Sequence, residues 1–260
     1  RGFTQDDAHI FCTTDQIEDE ILNLLTFSIK LLKSFGFDSI EADLSTRPEK
    51  SIGNNDDWEK ATNSLKSALE NQNISYVTAH GEGAFYGPKI DLHVKDAIGR
   101  RWQLSTIQVD FAQPDNFDLQ FVDSNNKRVK PVMIHRALLG SIERFTGILI
   151  ENYAGEFPGW LSPVQVKVLT IGDVSNYLNK ITKSLKGFRY EVDDRNLRLG
   201  EKLHDATKDK VPITLIVGEK DELSNTLAIN IRSQDNQQNV KYEDAIKQIK
   251  ANLKTPIFKI

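Results

Sequence analysis

The stretch Val129–Gly147, VKPVMIHRALLGSIERFTG, decides how the first half of this chain is read. It opens on a short apolar run, Pro131 to His135, that suits a strand. The spacing then predicts a helix from about Arg136 to Ala154. On that helix Ala137, Gly140, Ser141, Arg144 and Gly147 recur at three- and four-residue steps and share one face. The face is small except for one guanidinium. Leu138, Ile142, Phe145 and Leu149 fall on another side, fit for a core. A smooth face with one fixed arginine can receive a flat base or ribose and pair with a phosphate. The same spacing serves helix packing through small residues with a solvated arginine. Neither a Walker A loop nor a dinucleotide glycine fingerprint occurs, so any ATP site is of another kind.

Working outward, Arg1 to Cys12 reads as the end of a strand. Thr13 with Gln16 resembles a capping box. It opens a helix carrying Ile17, Ile21, Leu24, Leu25 and Leu32 on one side, with Gly36 as its stop. A strand is expected over 37–44, and a helix from Asp57 with Trp58, Ala61, Leu65, Ala68 and Leu69 inward. Three strand-like runs follow, over 76–80, 89–95 and 101–111, and suggest neighbouring antiparallel strands. Gly155, Pro158, Gly159 and Pro163 punctuate the chain and place a domain boundary at 159/160. Beyond it, strands at 164–171, 188–192, 213–217 and 226–231 alternate with helices at 174–185, 201–208 and 242–253. That alternation implies a mixed or largely parallel sheet. The fold class expected is α/β: an antiparallel sheet with flanking helices over 1–159, and a second α/β domain over 160–260.

With 260 residues, 39% of them hydrophobic and 27% charged, two modest globular domains are accommodated. No apolar run approaches the roughly 18 residues that span a bilayer, so no membrane partner is expected. No signal-peptide pattern opens the chain. A lone cysteine, Cys12, excludes an internal disulfide and suits a reducing cytoplasm. The net charge of −4 hides an asymmetry. From Leu161 onward 17 Lys and Arg face 13 Asp and Glu, a balance of +4, while the first 160 residues hold 16 against 24, a balance of −8. A basic back half permits a polyanion partner. The first residue is Arg1 rather than Met, which suggests a piece of a longer polypeptide.

The pattern HR-x-x-x-G-S-x-E-R-F, from His135 to Phe145, resembles motif 3 of the class II aminoacyl-tRNA synthetases. RGFTQDDAHIFC (Arg1–Cys12) resembles the tail of their motif 2. STRPEK (Ser45–Lys50), GEGAFYGPKI (Gly81–Ile90), WQLSTIQVDF (Trp102–Phe111) and PVMIHRALLGS (Pro131–Ser141) resemble the threonyl enzymes among them. The likeness implies ATP-dependent activation of threonine to threonyl-adenylate and transfer to tRNA(Thr), with Mg²⁺ accompanying ATP. It implies that Arg144 meets the γ-phosphate, with Ser141 beside it and Gln103 and Thr106 in the ATP site. Tyr86, Lys89 and Gln108 become contacts to threonine or the tRNA end, and Gln5 and Asp7 join Arg144 in the catalytic group. His9 and His135 correspond to two ligands of a Zn²⁺ that takes the amino and hydroxyl groups of threonine, which valine cannot offer. The third ligand in the family is an upstream cysteine, and Cys12 is read as a core thiol instead. Asp91 and Asp110 invite a Mg²⁺ reading without any preference for it. His80, His93 and His204 are read as structural or exposed.

DDRNLRLGEKL (Asp193–Leu203) and VGEKDE (Val217–Glu222) resemble the anticodon-binding domain of this subgroup. Arg195, Asn196, Glu219 and Arg232 become candidates to read anticodon bases. Lys208, Asp209 and Lys210 stand where the resemblance leads one to expect arginines. Motif 1, which carries the homodimer interface, and most of motif 2 have no counterpart, so the isolated piece is expected to be inactive. The alternatives are a non-catalytic tRNA-binding module, or a prolyl, histidyl or glycyl relative.

Overall fold

The computed structural model describes residues 2–257, so Arg1 lies outside the described residues. The chain divides into two compact units, one running to Asn152 and the other spanning Tyr153–Pro256. Among the described residues no helix is long and apolar enough to cross a membrane.

The first unit runs β1 (Ala8–Cys12), α1 (Ile17–Ser34), β2 (Ile40–Ser45), α2 (Asn55–Asn71), β3 (Tyr76–Ala79), β4 (Lys89–Lys95) and β5 (Arg101–Asp110). It continues with α3 (Ala112–Asn116), β6 (Phe121–Val122), β7 (Arg128–Val129), β8 (Val132–Ala137) and α4 (Ile142–Tyr153). Six strands form one sheet in the order β1-β8-β5-β4-β2-β3. Alternation along the central strands sorts them by face. Leu44, Ile90, Ile107 and Ile134 are fully or almost fully buried, while the intervening Lys89, His93, Thr106 and His135 stay partly open. On α1 the buried residues are Ile17, Ile21, Leu24, Leu25, Ser28 and Leu32, the stripe its periodicity predicts. The Gln16 side chain accepts from the Thr13 amide at 2.9 Å, which is one half of the expected capping box. For α2 the cap is Asn54, whose side chain accepts from the Asp57 amide.

Two expectations are overturned here. The third-motif segment does not pass directly from strand to helix at Arg136. β8 continues through Ala137, and α4 begins only at Ile142. Ladder partners on both sides, β1 and β5, hold Arg136 extended, and Gly140 then turns the chain with φ +68°. Ala137, Gly140 and Ser141 therefore do not share a helical face with Arg144. The three runs over 76–111 are not all antiparallel neighbours either. β4 and β5 pair antiparallel, but β3 pairs parallel with β2 at the sheet edge. The α2 crossover between β2 and β3 supplies the long connection that parallel pairing needs.

The second unit runs β9 (Val166–Ile171), α5 (Ser175–Ser184), β10 (Tyr190–Asp193), α6 (Leu199–Lys208), β11 (Ile213–Gly218), α7 (Glu219–Ser224), β12 (Thr226–Ile231), β13 (Gln237–Lys241) and α8 (Tyr242–Asn252). Its sheet, in the order β10-β9-β11-β12-β13, is mixed: the first three strands are parallel and the last two antiparallel. Val166, Val168, Leu215 and Ile229 pack with Tyr177 and Ile181 of α5 and Ala245 and Ile249 of α8 into a separate core. The α7 turn and polar β13 carry little apolar signal and were not legible.

Candidate functional site

Cross-strand register brings the candidate residues of the first unit into rows on one face of the six-stranded sheet. One row runs His9–His135–Gln108–Lys89–Ser45 across β1, β8, β5, β4 and β2. The next runs Ala137–Thr106–Asp91–Asp43. Gln103, His93 and Glu41 form a third. Gln103 and Thr106 differ by an odd number, so a regular strand would send them to opposite faces. A bulge makes up the difference, because Leu92 pairs with Ser105 and His93 with Gln103, leaving Leu104 extra. The Gln103 amide then donates to Asp91 at 2.7 Å and to Thr106 Oγ1 at 3.0 Å, and Thr106 donates to Asp91 at 2.7 Å. Lys89 Nζ closes the group at 2.7 Å from Asp91.

Tyr86 reaches the first row from the 80–88 loop. Its hydroxyl donates to Gln108 Oε1 at 3.1 Å, and its ring lies 5.8 Å from that of His135. Burial, with the Asp110 and Asp7 carboxylates, pushes the phenol's pKa up, so it stays a donor at neutral pH. The loop lies this close because of Gly87. A Cβ there would stand 1.7 Å from the Val109 carbonyl oxygen, a separation no side chain tolerates.

Arg144, in the first turns of α4, donates through Nη2 to the Gln103 carbonyl oxygen. The Ser141 hydroxyl accepts from the Arg144 amide at 3.4 Å and donates to Glu143 at 2.9 Å. Sequence reasoning missed what holds this turn in place. The Asp6 carboxylate accepts from the amides of Leu138, Leu139 and Gly140 at 3.0–3.2 Å. The Glu143 carboxylate accepts from the Thr4 amide at 2.8 Å, and Gln5 bridges to Ser141. A pair of adjacent aspartates followed by a distant glycine turn is the only hint the sequence carries. Gln5 and Asp7 precede β1 and are exposed, and Asp7 Oδ1 lies 4.0 Å from His9 Nε2.

His9 and His135 are direct ladder partners, with ring centroids 4.6 Å apart in a T-shaped arrangement. Two imidazoles sharing one tetrahedral ion by nitrogen bonds of about 2.0–2.1 Å would have centroids separated by about 5 Å. The pair therefore fits a common zinc ion as two of its ligands. Among the described residues no group of three or more His, Cys, Asp and Glu side chains could hold a metal. Cys12 is buried, and burial with Glu20 and Asp15 nearby pushes its thiol up to about 11, as suits a core residue. Asp91 is engaged by Gln103, Thr106 and Lys89, and Asp110 by His135 and two amides. Neither carboxylate is left as an open Mg²⁺ ligand. His93 is largely buried 3.8 Å from Asp43; burial, then Arg101, pushes its pKa down against the opposing pull of Asp43 and Asp91. His80 and His204 are exposed.

In the second unit Arg195, Asn196 and Glu219 gather at the carboxyl ends of the parallel strands, the usual ligand edge of an open α/β sheet. Arg195 chelates Asp193 at 2.7 and 2.8 Å and reaches Asp205 at 2.7 Å. Lys202, 2% exposed, donates to the carbonyls of Thr170 and Asp193 and ties β9 and β10 together beneath that loop. Its burial was not foreseen. Arg232 does not join the group. It follows β12, antiparallel to β11, and so lies at the other end of the sheet. Its guanidinium donates to the carbonyls of Lys210, Glu156 and Phe157, which makes it an internal clamp.

Comparison with known proteins agrees with this architecture. The family described as tRNA synthetase class II core domain (G, H, P, S and T) matches residues 1–153, and the anticodon binding domain family matches 165–252. A threonine–tRNA ligase of Clostridium tetani is 53% identical over 237 residues, covering 90% of this chain and 37% of that protein. The chloroplastic/mitochondrial threonine–tRNA ligase 2 of Arabidopsis thaliana is 48% identical over 258 residues, covering 98% of the chain and 40% of its own length. The chain thus spans about two fifths of these relatives. A crystal structure titled as the RNA binding domain of threonyl-tRNA synthetase from Cryptosporidium parvum Iowa II superposes with a TM-score of 0.89 at 34% identity, covering 96% of this chain and 64% of that one. With a polar-faced six-stranded sheet followed by a mixed-sheet unit, each matched by its own family, the chain belongs to the class II tRNA synthetases and carries their core domain followed by an anticodon-binding domain.

Proposed function

We propose that this chain serves threonine–tRNA ligation: ATP and threonine react to threonyl-adenylate and pyrophosphate, and the threonyl group passes to the terminal ribose of tRNA(Thr). The observation that carries the threonine specificity is the His9–His135 pair, two imidazoles in ladder contact on the polar face. A zinc ion held by them and by a donor from outside these residues would bind threonine through its amino and hydroxyl groups, which an isosteric valine cannot match. Gln108, braced by Tyr86, would hold the amino acid beside that row. Thr106 in the neighbouring row and Gln103 in the next, joined by a hydrogen bond, would line the place of the nucleotide. Arg144 uses one N–H on the Gln103 carbonyl and keeps others for the phosphates. These groups contribute positioning and charge stabilisation. Mg²⁺ accompanies ATP, and the second unit binds the anticodon through the Asp193–Leu203 loop and Glu219. The assembly is a cytoplasmic homodimer, and the 260 residues alone support little or no adenylate formation.

The test is made on the full-length protein. His9→Ala and His135→Ala are each expected to strip the zinc and to raise the KM for threonine in ATP–pyrophosphate exchange. Metal content and KM indifferent to both changes would sink the threonine reading.

A further inference from the structure

Asp110 ends β5 and is fully buried, and the sequence offered it no more than an unpreferred Mg²⁺ reading. Its two oxygens do different work. Oδ1 accepts from the amides of Ala112 and Gln113 at 2.7 and 2.9 Å, closing the turn into α3. Oδ2 is left over from that turn and lies 2.7 Å from His135 Nε2. A carboxylate can only accept, so the proton between them belongs to the imidazole. In a neutral ring the other nitrogen is then bare.

We propose that Asp110 is a positioning residue of the metal row: it holds His135 in the Nε2–H tautomer, so that unprotonated Nδ1 is the atom offered to the ion shared with His9. This deepens the zinc reading above and rests on it for the identity of the ligand, but not for the tautomer. A carboxylate behind a ligating imidazole fixes its orientation and raises its basicity. The buried site adds to this, because a charge-assisted bond shielded from water is stronger than its solvated counterpart.

Asparagine is the decisive substitution. In Asp110→Asn the single side-chain oxygen stays with the two α3 amides, so the amide nitrogen faces His135. A donor there forces Nε2 to accept and moves the ring proton to Nδ1, closing the metal-binding atom. The experiment is a long-range ¹H–¹⁵N correlation on the ¹⁵N-labelled 260-residue chain at about pH 8, where an ordinary histidine is neutral, followed by titration with Zn²⁺. In the wild type His135 is expected as the Nε2–H form, with zinc shifting His135 Nδ1 and the His9 ring together. In Asp110→Asn it is expected as Nδ1–H, with zinc affinity about 10–100-fold weaker and the Ala112 and Gln113 amide resonances kept. Asp110→Ala removes both contacts and is expected to move those two amides as well, separating the turn from the histidine. His135 found as Nδ1–H in the wild type, or a tautomer unmoved by the asparagine, would overturn the proposal. If zinc perturbs neither imidazole while the tautomers are as assigned, the two rings alone do not hold the ion, and the orientation of His135 by Asp110 stands; the zinc reading is then decided by the metal content of the full-length histidine variants.

Discussion

At the scale of single residues, the site depends on side chains that reach backbone. Arg144 is held by the carbonyl of Gln103, not by its amide side chain, so the two residues can be altered independently. Arg144→Lys replaces a planar fork with a point charge. In the full-length protein it should lower the rate of ATP–pyrophosphate exchange by about 10²-fold or more, the range for losing one positioned donor. Zinc content should be unchanged; a rate within a few-fold of wild type would remove Arg144 from the phosphate role. His9, His135 and Arg144 were singled out by the motifs that the sequence resembles, since a lone imidazole or guanidinium is as often structural or solvated. Asp6 and Asp110 were not legible. Each acts on a partner more than twenty residues away, and only strand register reveals which.

At the scale of elements, the third-motif turn is where sequence and structure part. The small-residue spacing over 137–147 reads as helix, yet Ala137, Gly140 and Ser141 precede the helix and only Arg144 and Gly147 lie within it. A strand with partners on both sides outweighs that local preference up to Ala137. The reverse holds for β4, read correctly from Lys89 to Lys95 because its alternation is unbroken. The Leu104 bulge was invisible, since its only mark is a face change that the pairing must first define. The Leu138–Ser141 turn hangs on one carboxylate. Asp6→Ala should leave three amides without their acceptor and destabilise the first unit by about 1–3 kcal/mol. Urea unfolding followed through Trp58 and Trp102, both in that unit, would detect this, and an unchanged midpoint would refute it.

At the scale of the molecule, each unit has its own sheet, and the second has a core of its own. The heavy Gly and Pro punctuation falls just inside the second unit, where Lys210 and Arg232 hold the carbonyls of Ala154, Glu156 and Phe157. Composition marks the seam, but the contacts draw its edge a few residues earlier, at Asn152. Acid should weaken the second unit at the carboxyl ends of its parallel strands. The Arg195 guanidinium beside Asp193 holds that carboxyl below the usual carboxylate range. The stability it adds is complete above the ordinary carboxylate pKa and is lost as pH falls through the depressed value. Arg195→Met should move the Asp193 titration upward, read by carboxyl chemical shifts, and an unmoved titration would refute the coupling. The packing of Gly87 on the Val109 carbonyl carries a warning for anyone mapping this protein by exhaustive mutagenesis. Position 87 should tolerate no replacement at all and so mimic a reacting group, although hydrogen is simply the largest thing that fits there.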